Sequence, residues 1–349
     1  MSGGVDSSVA ALLLRRAGYR VIGVTLRLWD DPCAASERTC CSSEAVERAA
    51  AVARALEMPH YTLDARETFS ERVVTYFVDE YARGRTPNPC MKCNATVRFG
   101  LMLDMAARLG LERVATGHYA RLAGDPPSLT RGVDQKKDQS YVLAEVSPCV
   151  LRRMVFPLGE LRKSQVRRIA AEAGLVGASQ PESQEICFIP DNDHQSFLAA
   201  RLGERPGLIV DTAGREIGSH HGTYNYTICQ RKGLRISGPQ PKYVVAIDAE
   251  ARTVAIGDHQ EMGVAGITLA GVVYHRSPGF DEVTVQYRSS GGRVRGRVAD
   301  PEHVAFAEPA FGVAPGQTAV LYDGDAVLAA GTIAETAATT HQRATSGPK

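Results

Sequence analysis

The sequence predicts an α/β protein with a parallel sheet, followed by a small connecting domain and a C-terminal β-barrel. Three observations predict this class. Residues 2–8 form a glycine-rich loop that runs directly into an apolar, helix-forming stretch. Short β-rich apolar runs then alternate with amphipathic helices, which is typical of βαβ units. Beyond Pro206 the chain is rich in turns and short β runs, which is typical of small barrels.

Helical and strand-like patterns alternate through the first half of the chain. They predict helices over 9–16, 44–56, 68–83, 96–109 and 163–173, and strands over 21–26, 60–63 and 113–116. The prolines within 84–94 predict that no helix crosses that segment. Residues 186–189 have the pattern of a strand or an extended segment.

The second half predicts one helix over 194–202, two hairpins over 208–217 and 243–256, and several barrel strands between 266 and 333. We therefore expect a nucleotide-type α/β domain over 1–195, a β-rich connecting domain over 196–262, a β-barrel over 263–336 and a disordered tail over 337–349. No apolar run of strand length precedes the glycine-rich loop, so we expect that the first strand of the sheet is missing from this chain.

Bulk composition is that of an ordinary globular protein. The 349 residues are 44% hydrophobic and 23% charged, and 40 basic against 39 acidic residues give a net charge of +1. Nucleic-acid binding would therefore need a local basic surface. No apolar stretch reaches the roughly 18 residues of a membrane span, and no signal peptide fits, so we expect a cytoplasmic protein without a disulfide framework.

The glycine-rich loop, Ser-Gly-Gly-Val-Asp-Ser-Ser, is a candidate phosphate cradle. Two glycines allow a tight turn and close approach to a ligand, and the backbone N–H groups at a helix start attract anions. The sequence lacks the Gly-Lys-Ser/Thr of a Walker A loop and the spacing of a dinucleotide fingerprint. It resembles the pyrophosphate-binding loop of the N-type ATP pyrophosphatases; the alternative is a turn that merely caps a helix.

Cysteines are the other candidates for chemistry. Cys90 and Cys93 have a C-x-x-C spacing that suits zinc, an iron–sulfur cluster, a redox pair or one activated thiol. No second C-x-x-C is present, so a self-contained zinc site is not expected. Cys187 alone has the surroundings of a buried strand cysteine, and Cys40 and Cys41 could be ligands, a regulatory pair or plain loop residues.

Taken together, the motifs closely resemble the bacterial tRNA-specific 2-thiouridylases, the MnmA family. The resemblance covers nearly the whole chain and keeps the family's order. The matching stretches are residues 2–8, 84–90, 93–94, 115–119, 137–141, 174–175, 186–189 and 230–234. The resemblance implies ATP-dependent 2-thiolation of the wobble uridine of tRNA, by adenylation of O2 and transfer of sulfur from a cysteine persulfide.

The resemblance also implies site residues. ATP with Mg²⁺ would bind Ser2, Gly3, Gly4, Val5, Asp6 and Ser7, with the adenine end near Leu26 and Gly117. Asp6 would take part in catalysis, Cys187 would carry the persulfide, and Cys93 would be the second catalytic cysteine. Cys93 would either attack the persulfide to release sulfide or attack C2 of the uridine, and the pair could end as a disulfide that must be reduced.

Residues matching the family's RNA contacts are spread along the chain. Asn88, Pro89 and Cys90 would cradle the target base, and the remaining contacts would be His118, Lys137, Asp138, Gln139, Tyr287, Arg288 and Gln317. Two basic surfaces could add phosphate contacts: the strand residues Arg293, Arg295 and Arg297, and the helix residues Arg162, Lys163, Arg167 and Arg168. The implied partners are the anticodon region of tRNA and a cysteine desulfurase or sulfur-relay protein, with the chain as a monomer.

Two further departures from the family pattern are chemical. Cys90 stands where other members carry an aspartate, and Cys40 with Cys41 marks a cysteine-rich variety. We hypothesise that Cys90, Cys93, Cys187 and either Cys40 or Cys41 hold a 4Fe–4S cluster. The alternatives to the thiolation function are a ligase-type ATP pyrophosphatase resembling argininosuccinate synthase, and a tRNA-binding protein without catalysis.

Overall fold

A computed structural model describes residues 1–30, 43–175, 186–189, 193–234, 236, 240–276 and 282–338. Cys40, Cys41 and the part of the predicted tail beyond 338 lie outside the described residues. The chain divides into two compact units. Unit 1 comprises Met1–Val74, Pro89–Asn192 and Asp325–Val327, and unit 2 comprises Thr75–Asn88, Asp193–Gly324 and Leu328–Lys349.

The helices follow the predicted order closely. They are α1 (Val5–Arg16), α2 (Ser43–Ala55), α3 (Arg66–Phe69), α4 (Thr75–Ala82), α5 (Pro89–Cys93), α6 (Phe99–Arg108), α7 (Ser140–Leu143), α8 (Pro148–Leu151), α9 (Lys163–Glu172) and α10 (His194–Leu202). Single π-helical turns at Ser70–Val74 and Asn94–Arg98 join α3 to α4 and α5 to α6. Among the described residues, none of these helices has the length and apolar character needed to cross a membrane.

The strands of unit 1 are β1 (Gly23–Arg27), β2 (His60–Asp64), β3 (Val114–Ala115), β4 (Ala120–Ala123), β5 (Ser128–Arg131) and β6 (Met154–Val155). β1 pairs with β2 in parallel, and β3 pairs with β6 in parallel, so the predicted parallel sheet is confirmed. β4 and β5 form an antiparallel hairpin that the patterns did not predict.

The core of unit 1 packs α1 against α9. Val9 of α1 and Val166 of α9 are fully buried in one apolar cluster, together with Tyr119. This packing places the N-terminal ends of α1 and α9 in the same part of unit 1, where the candidate site lies.

Unit 2 is built from strands β7 (Gly207–Asp211), β8 (Glu216–His220), β9 (Tyr243–Asp248), β10 (Thr253–Gly257), β11 (Val264–Tyr274), β12 (Glu282–Gln286), β13 (Arg293–Val298), β14 (His303–Ala310), β15 (Thr318–Asp323) and β16 (Ala326–Ala338). The first four form a sheet in the order β8-β7-β10-β9. The last six follow the order β11-β14-β13-β12-β15-β16, and β16 pairs back with β11, which closes the predicted barrel.

Two local predictions are wrong, for physical reasons, and the bounds of one strand differ from the expected ones. Residues 186–189 form a turn rather than a strand, closed by the Ile189 N–H donating to the Ile186 carbonyl at 3.0 Å. A helix, α5, occupies part of the proline-rich segment because proline is tolerated in the first turn, where its missing N–H costs nothing. β16 also extends to Ala338, two residues into the expected tail.

Candidate active site

The glycine-rich loop leads into α1 in a conformation that leaves the helix start open. Gly3 has φ +71°, and a Cβ there would lie 2.8 Å from the Ala45 carbonyl oxygen, so only glycine fits. Gly4 is the N-cap and offers no side-chain hydrogen bond to the helix. The first N–H groups of a helix have no intrahelical acceptor, so the start of α1 can bind an anion such as phosphate.

Gly117 brings the chain after β3 into direct contact with this loop. A Cβ on Gly117 would lie 2.8 Å from the Asp6 carbonyl carbon and 2.9 Å from the Ser7 nitrogen. Both atoms are backbone and cannot rotate away, so the close approach requires glycine. Gly117 therefore holds residues 6–7 in place, while Leu26 lies half-buried on β1.

Asp6 is held by two side chains from distant parts of the sequence. The Lys163 ammonium donates to both carboxylate oxygens, at 2.8 and 2.7 Å, and the Tyr119 hydroxyl donates to Oδ1 at 2.7 Å. Lys163 and Tyr119 are buried, and the Asp6 side chain is 34% exposed. Lys163 and Tyr119 together form a clamp, the Asp6 clamp, that fixes the carboxylate at the first turn of α1. The helix dipole also favours negative charge there.

The prediction that Lys163 belongs to a basic outer surface is wrong. α9 begins at Lys163, whose long side chain reaches inward because the packing of α9 on α1 brings it beside Asp6. No local pattern separates this lysine from its basic neighbours Arg162 and Arg167, which are not buried. Tyr119 was visible only as part of the motif at 115–119.

The C-x-x-C pair lies on α5, with different exposure at its two cysteines. Cys93 is 4% exposed, whereas Cys90 faces solvent. Pro89 is buried and Asn88 is half-buried at the start of this helix.

Cys187 lies in the 186–189 turn and is half-buried. The next residue anchors the turn: Phe188 is fully buried and packs edge-on against Phe69 and Trp29, with ring centroids 5.6 and 6.2 Å apart. Cys187 therefore lies in a turn that Phe188 anchors. The expectation from its neighbouring residues, a buried cysteine within a strand, is wrong.

The described residues contain no preassembled ligand set for the hypothesised 4Fe–4S cluster. Within the described ranges, no group of three or more His, Cys, Asp or Glu side chains comes together in a way that could hold a metal ion. Cys90, Cys93 and Cys187 are all described, and Cys40 and Cys41 are not. Because two of the candidate ligands lie outside the described residues, the 4Fe–4S cluster stays a prediction.

His118 follows Gly117 and is enclosed by aromatic rings. It is 9% exposed and lies edge-on to Phe99 and Phe156, and its Nδ1 is 2.8 Å from the Thr116 hydroxyl. Burial, with a smaller effect of the Arg98 charge, lowers its pKa to about 3. His118 is therefore a neutral imidazole at physiological pH.

Two residues of the 137–139 motif point into the protein. The Asp138 carboxylate pairs with Arg131 at 3.0 Å, with both side chains buried, and accepts further hydrogen bonds from Gly132 and Ser140. The Gln139 side-chain oxygen accepts from the Tyr119 N–H at 3.0 Å. Lys137 is half-buried beside them.

The remaining predicted RNA contacts lie in unit 2. Tyr287 is buried, and its hydroxyl donates to the Phe311 carbonyl at 3.3 Å, while Arg288 donates to the Gly312 carbonyl at 2.8 Å. The side-chain oxygen of Gln317 is buried and accepts no hydrogen bond from the described residues. On β13 the residues alternate between exposed and buried, which puts Arg293, Arg295 and Arg297 on one exposed face.

Comparisons with known proteins cover the whole architecture. Residues 1–191 match the family model described as tRNA methyl transferase HUP domain, residues 195–258 match its PRC-barrel domain, and residues 267–333 match the aminomethyltransferase beta-barrel domain.

Individual relatives are similar over nearly the full chain. The "Bifunctional protein NifU/MnmA" of Rubrobacter xylanophilus is 48% identical, over 96% of this chain and 69% of the relative. The "tRNA-specific 2-thiouridylase MnmA" of Acidothermus cellulolyticus is 45% identical over 96% of each chain, and that of Carboxydothermus hydrogenoformans is 44% identical over 95% of this chain and 96% of the relative.

Proposed function

The chain belongs to the family of tRNA-specific 2-thiouridylases, and from this premise we propose how its residues carry out the ATP-dependent 2-thiolation of the wobble uridine. The observation that carries the proposal is the open start of α1 beside the clamped Asp6 carboxylate. A site with open helix N–H groups and a fixed carboxylate suits a nucleotide whose phosphates bind the N–H groups. Mg²⁺, when bound with ATP, neutralises phosphate charge there.

Adenylation makes the uridine oxygen a good leaving group. O2 of the uridine attacks the α-phosphorus of ATP, the bond to the β-phosphate breaks, and pyrophosphate leaves. The N–H groups at the start of α1 bind the negative charge that develops on the phosphates. The target base must leave the anticodon stack to reach the site, and we assign residues 88–90 to its cradle.

Sulfur transfer uses the two cysteines, and their exposure supports different roles. Half-buried Cys187 is accessible to a sulfur donor and carries the persulfide, whereas buried Cys93 is shielded from it. In one route the Cys93 thiolate attacks the inner sulfur of the persulfide, and HS⁻ leaves as a Cys93–Cys187 disulfide forms. HS⁻ then attacks C2, AMP leaves with the old oxygen, and a thiol reductant restores the cysteines. In the other route the Cys93 thiolate attacks C2 and displaces AMP. The outer sulfur of the persulfide then displaces Cys93 from C2, and the freed Cys93 thiolate attacks Cys187 Sγ, so that 2-thiouridine leaves as the disulfide forms.

Tyr287, Arg288 and Gln317 are proposed to contact tRNA from unit 2, together with the exposed arginine face of β13. We propose a cysteine desulfurase or relay protein as the donor to Cys187. The ligase-type alternative has no use for either cysteine and is not favoured.

A variant set tests these roles. Unmodified tRNA, ATP and Mg²⁺ are supplied with either a cysteine desulfurase and cysteine, or with sulfide alone, and 2-thiouridine is measured by nucleoside mass spectrometry. We expect Cys187→Ser to lose thiolation from the desulfurase and to keep thiolation from sulfide. Cys149→Ser, at an exposed cysteine outside the site, is the matched control. Equal activity of Cys187→Ser and wild type with the desulfurase would overturn the assignment.

Cys93→Ser separates the two routes. Retained thiolation from sulfide would support release of sulfide by Cys93, and loss of it would support attack on C2.

The 4Fe–4S cluster stays a prediction, and iron analysis of anaerobically purified protein tests it. Protein that is active and free of iron would exclude the cluster.

A further inference from the structure

The Asp6 clamp is connected to a second element of unit 1 that the sequence motifs treat separately. This element is loop 132–140, which runs from the residue after β5 to the first residue of α7, and it contains the 137–139 motif. Two short paths of hydrogen bonds join it to Asp6, and each path passes through one buried side chain.

The first path runs through Tyr119. The Gln139 N–H donates to the Tyr119 carbonyl at 2.8 Å, and the Tyr119 N–H donates to the Gln139 side-chain oxygen at 3.0 Å. The Tyr119 hydroxyl then donates to Asp6 Oδ1 at 2.7 Å. Because Gln139 holds both backbone groups of Tyr119, movement of the loop at Gln139 must move the tyrosine.

The second path runs through Lys163. The Asp134 Oδ2 atom accepts from the Lys163 backbone N–H at 2.9 Å, at the first residue of α9. The Lys163 ammonium donates to both oxygens of Asp6 and lies 5.6 Å from the centre of the Tyr119 ring. The two paths therefore meet at one carboxylate and also contact each other.

The surroundings of both paths are rigid. Tyr119 is 3% exposed and belongs to the same buried cluster as Val9 and Val166, which holds α1 against α9. The Val133 N–H donates to the Gly159 carbonyl at 2.9 Å, and a Cβ on Gly159 would lie 2.1 Å from the Ala120 carbonyl oxygen. Closely packed cores transmit displacement and do not absorb it.

We propose that tRNA bound at loop 132–140 and ATP bound at the glycine-rich loop strengthen each other's binding through Asp6, with Tyr119, Lys163 and Asp134 as positioning residues. This rests on the proposed function and on the expectation from the family resemblance that Lys137, Asp138 and Gln139 contact tRNA. We expect adenylation to be most favourable when both substrates are present, because occupation of loop 132–140 restrains Tyr119 and Lys163 and so restrains the Asp6 carboxylate that they hold.

Coupling of this kind is reciprocal and can be measured without catalysis. The affinity of Mg²⁺ and α,β-methylene ATP, a non-hydrolysable analogue, is measured by calorimetry with and without saturating unmodified tRNA. The ratio of the two dissociation constants is the coupling factor, expected in the range of about 5 to 150 for wild type. The affinity of tRNA with and without the analogue must give the same factor.

Tyr119→Phe removes only the hydroxyl of the first path, and Asp134→Ala removes the acceptor of the second. Each is expected to lower the coupling factor, and the double variant is expected to bring it within twofold of one. Matched controls are Tyr19→Phe at a 60% exposed tyrosine and Asp104→Ala at an exposed position of α6, and both should keep the wild-type factor. A purely structural role would weaken each ligand alone and leave the ratio unchanged.

The outcomes are distinct. A wild-type factor within twofold of one, or a double variant that keeps the wild-type factor, overturns the coupling. If the double variant does not fold, Tyr119→Phe decides, because it keeps the ring and its packing. Failure of wild type to bind either ligand, or to form 2-thiouridine, would instead overturn the proposed function.

Discussion

Gly117→Ala is the sharpest perturbation that the structure offers for the glycine-rich loop. The new Cβ would lie 2.8 Å from the Asp6 carbonyl carbon and 2.9 Å from the Ser7 nitrogen, where ordinary contacts begin at 3.4 Å. The backbone must therefore separate by about half an ångström, and overpacking of this kind costs about 1–3 kcal/mol. Since the displaced atoms belong to the proposed phosphate site, we expect ATP-analogue binding to weaken roughly tenfold, about 1.4 kcal/mol.

The assay is calorimetric titration with Mg²⁺ and α,β-methylene ATP, combined with circular dichroism to confirm that the fold is retained. Gly100→Ala is the matched control, because a Cβ at this position of α6 meets nothing within 4 Å. It should bind the analogue as wild type does. If Gly117→Ala also binds within twofold of wild type, the reasoning that links Gly117 to the nucleotide site is refuted.

Three further predictions concern charge. The pKa of His118 is lowered to about 3, so below about pH 6.5 the unfolded chain takes up a proton that the folded protein does not, and stability falls as pH drops. At pH 5 the loss of stability is about 2 kcal/mol. Thermal unfolding at pH 7 and pH 5 should show a smaller loss of stability for His118→Gln than for wild type. Asp138→Ala removes the buried carboxylate beside Arg131 and should lower stability by about 3 kcal/mol, seen as a lower melting temperature in calorimetry, while an unchanged value would contradict the buried pair. Replacing Arg293, Arg295 and Arg297 together by alanine should reduce the slope of log K against log salt for tRNA by roughly 2 to 3, and an unchanged slope would remove β13 from the RNA surface.

Local patterns predicted much of the fold. The periodicity of α10 and of the hairpin strands β9 and β10 gave those elements nearly at their observed bounds, since both depend on neighbouring residues. The turn at 186–189 was missed because a short apolar run has the same pattern in a buried strand and in a turn anchored by Phe188.

The candidate site was predicted only in part. The glycine-rich loop is a local motif and was recognisable, as were the two cysteines. The Asp6–Lys163 contact joins residues 157 positions apart, and it exists only because α9 packs on α1. No spacing rule connects such residues, so the clamp had to be read from the folded chain. The domain boundaries and the monomeric state stay predictions.

The central claim is ATP-dependent replacement of uridine O2 by sulfur, and nucleoside mass spectrometry of tRNA tests it most directly. Unmodified tRNA is incubated with the protein, ATP, Mg²⁺ and sulfide, and AMP is quantified in the same samples. We predict 2-thiouridine at the wobble position with one AMP per modified base, and none without ATP. Wild-type protein that binds tRNA and the ATP analogue but yields no 2-thiouridine, under air or anaerobically, would contradict the account.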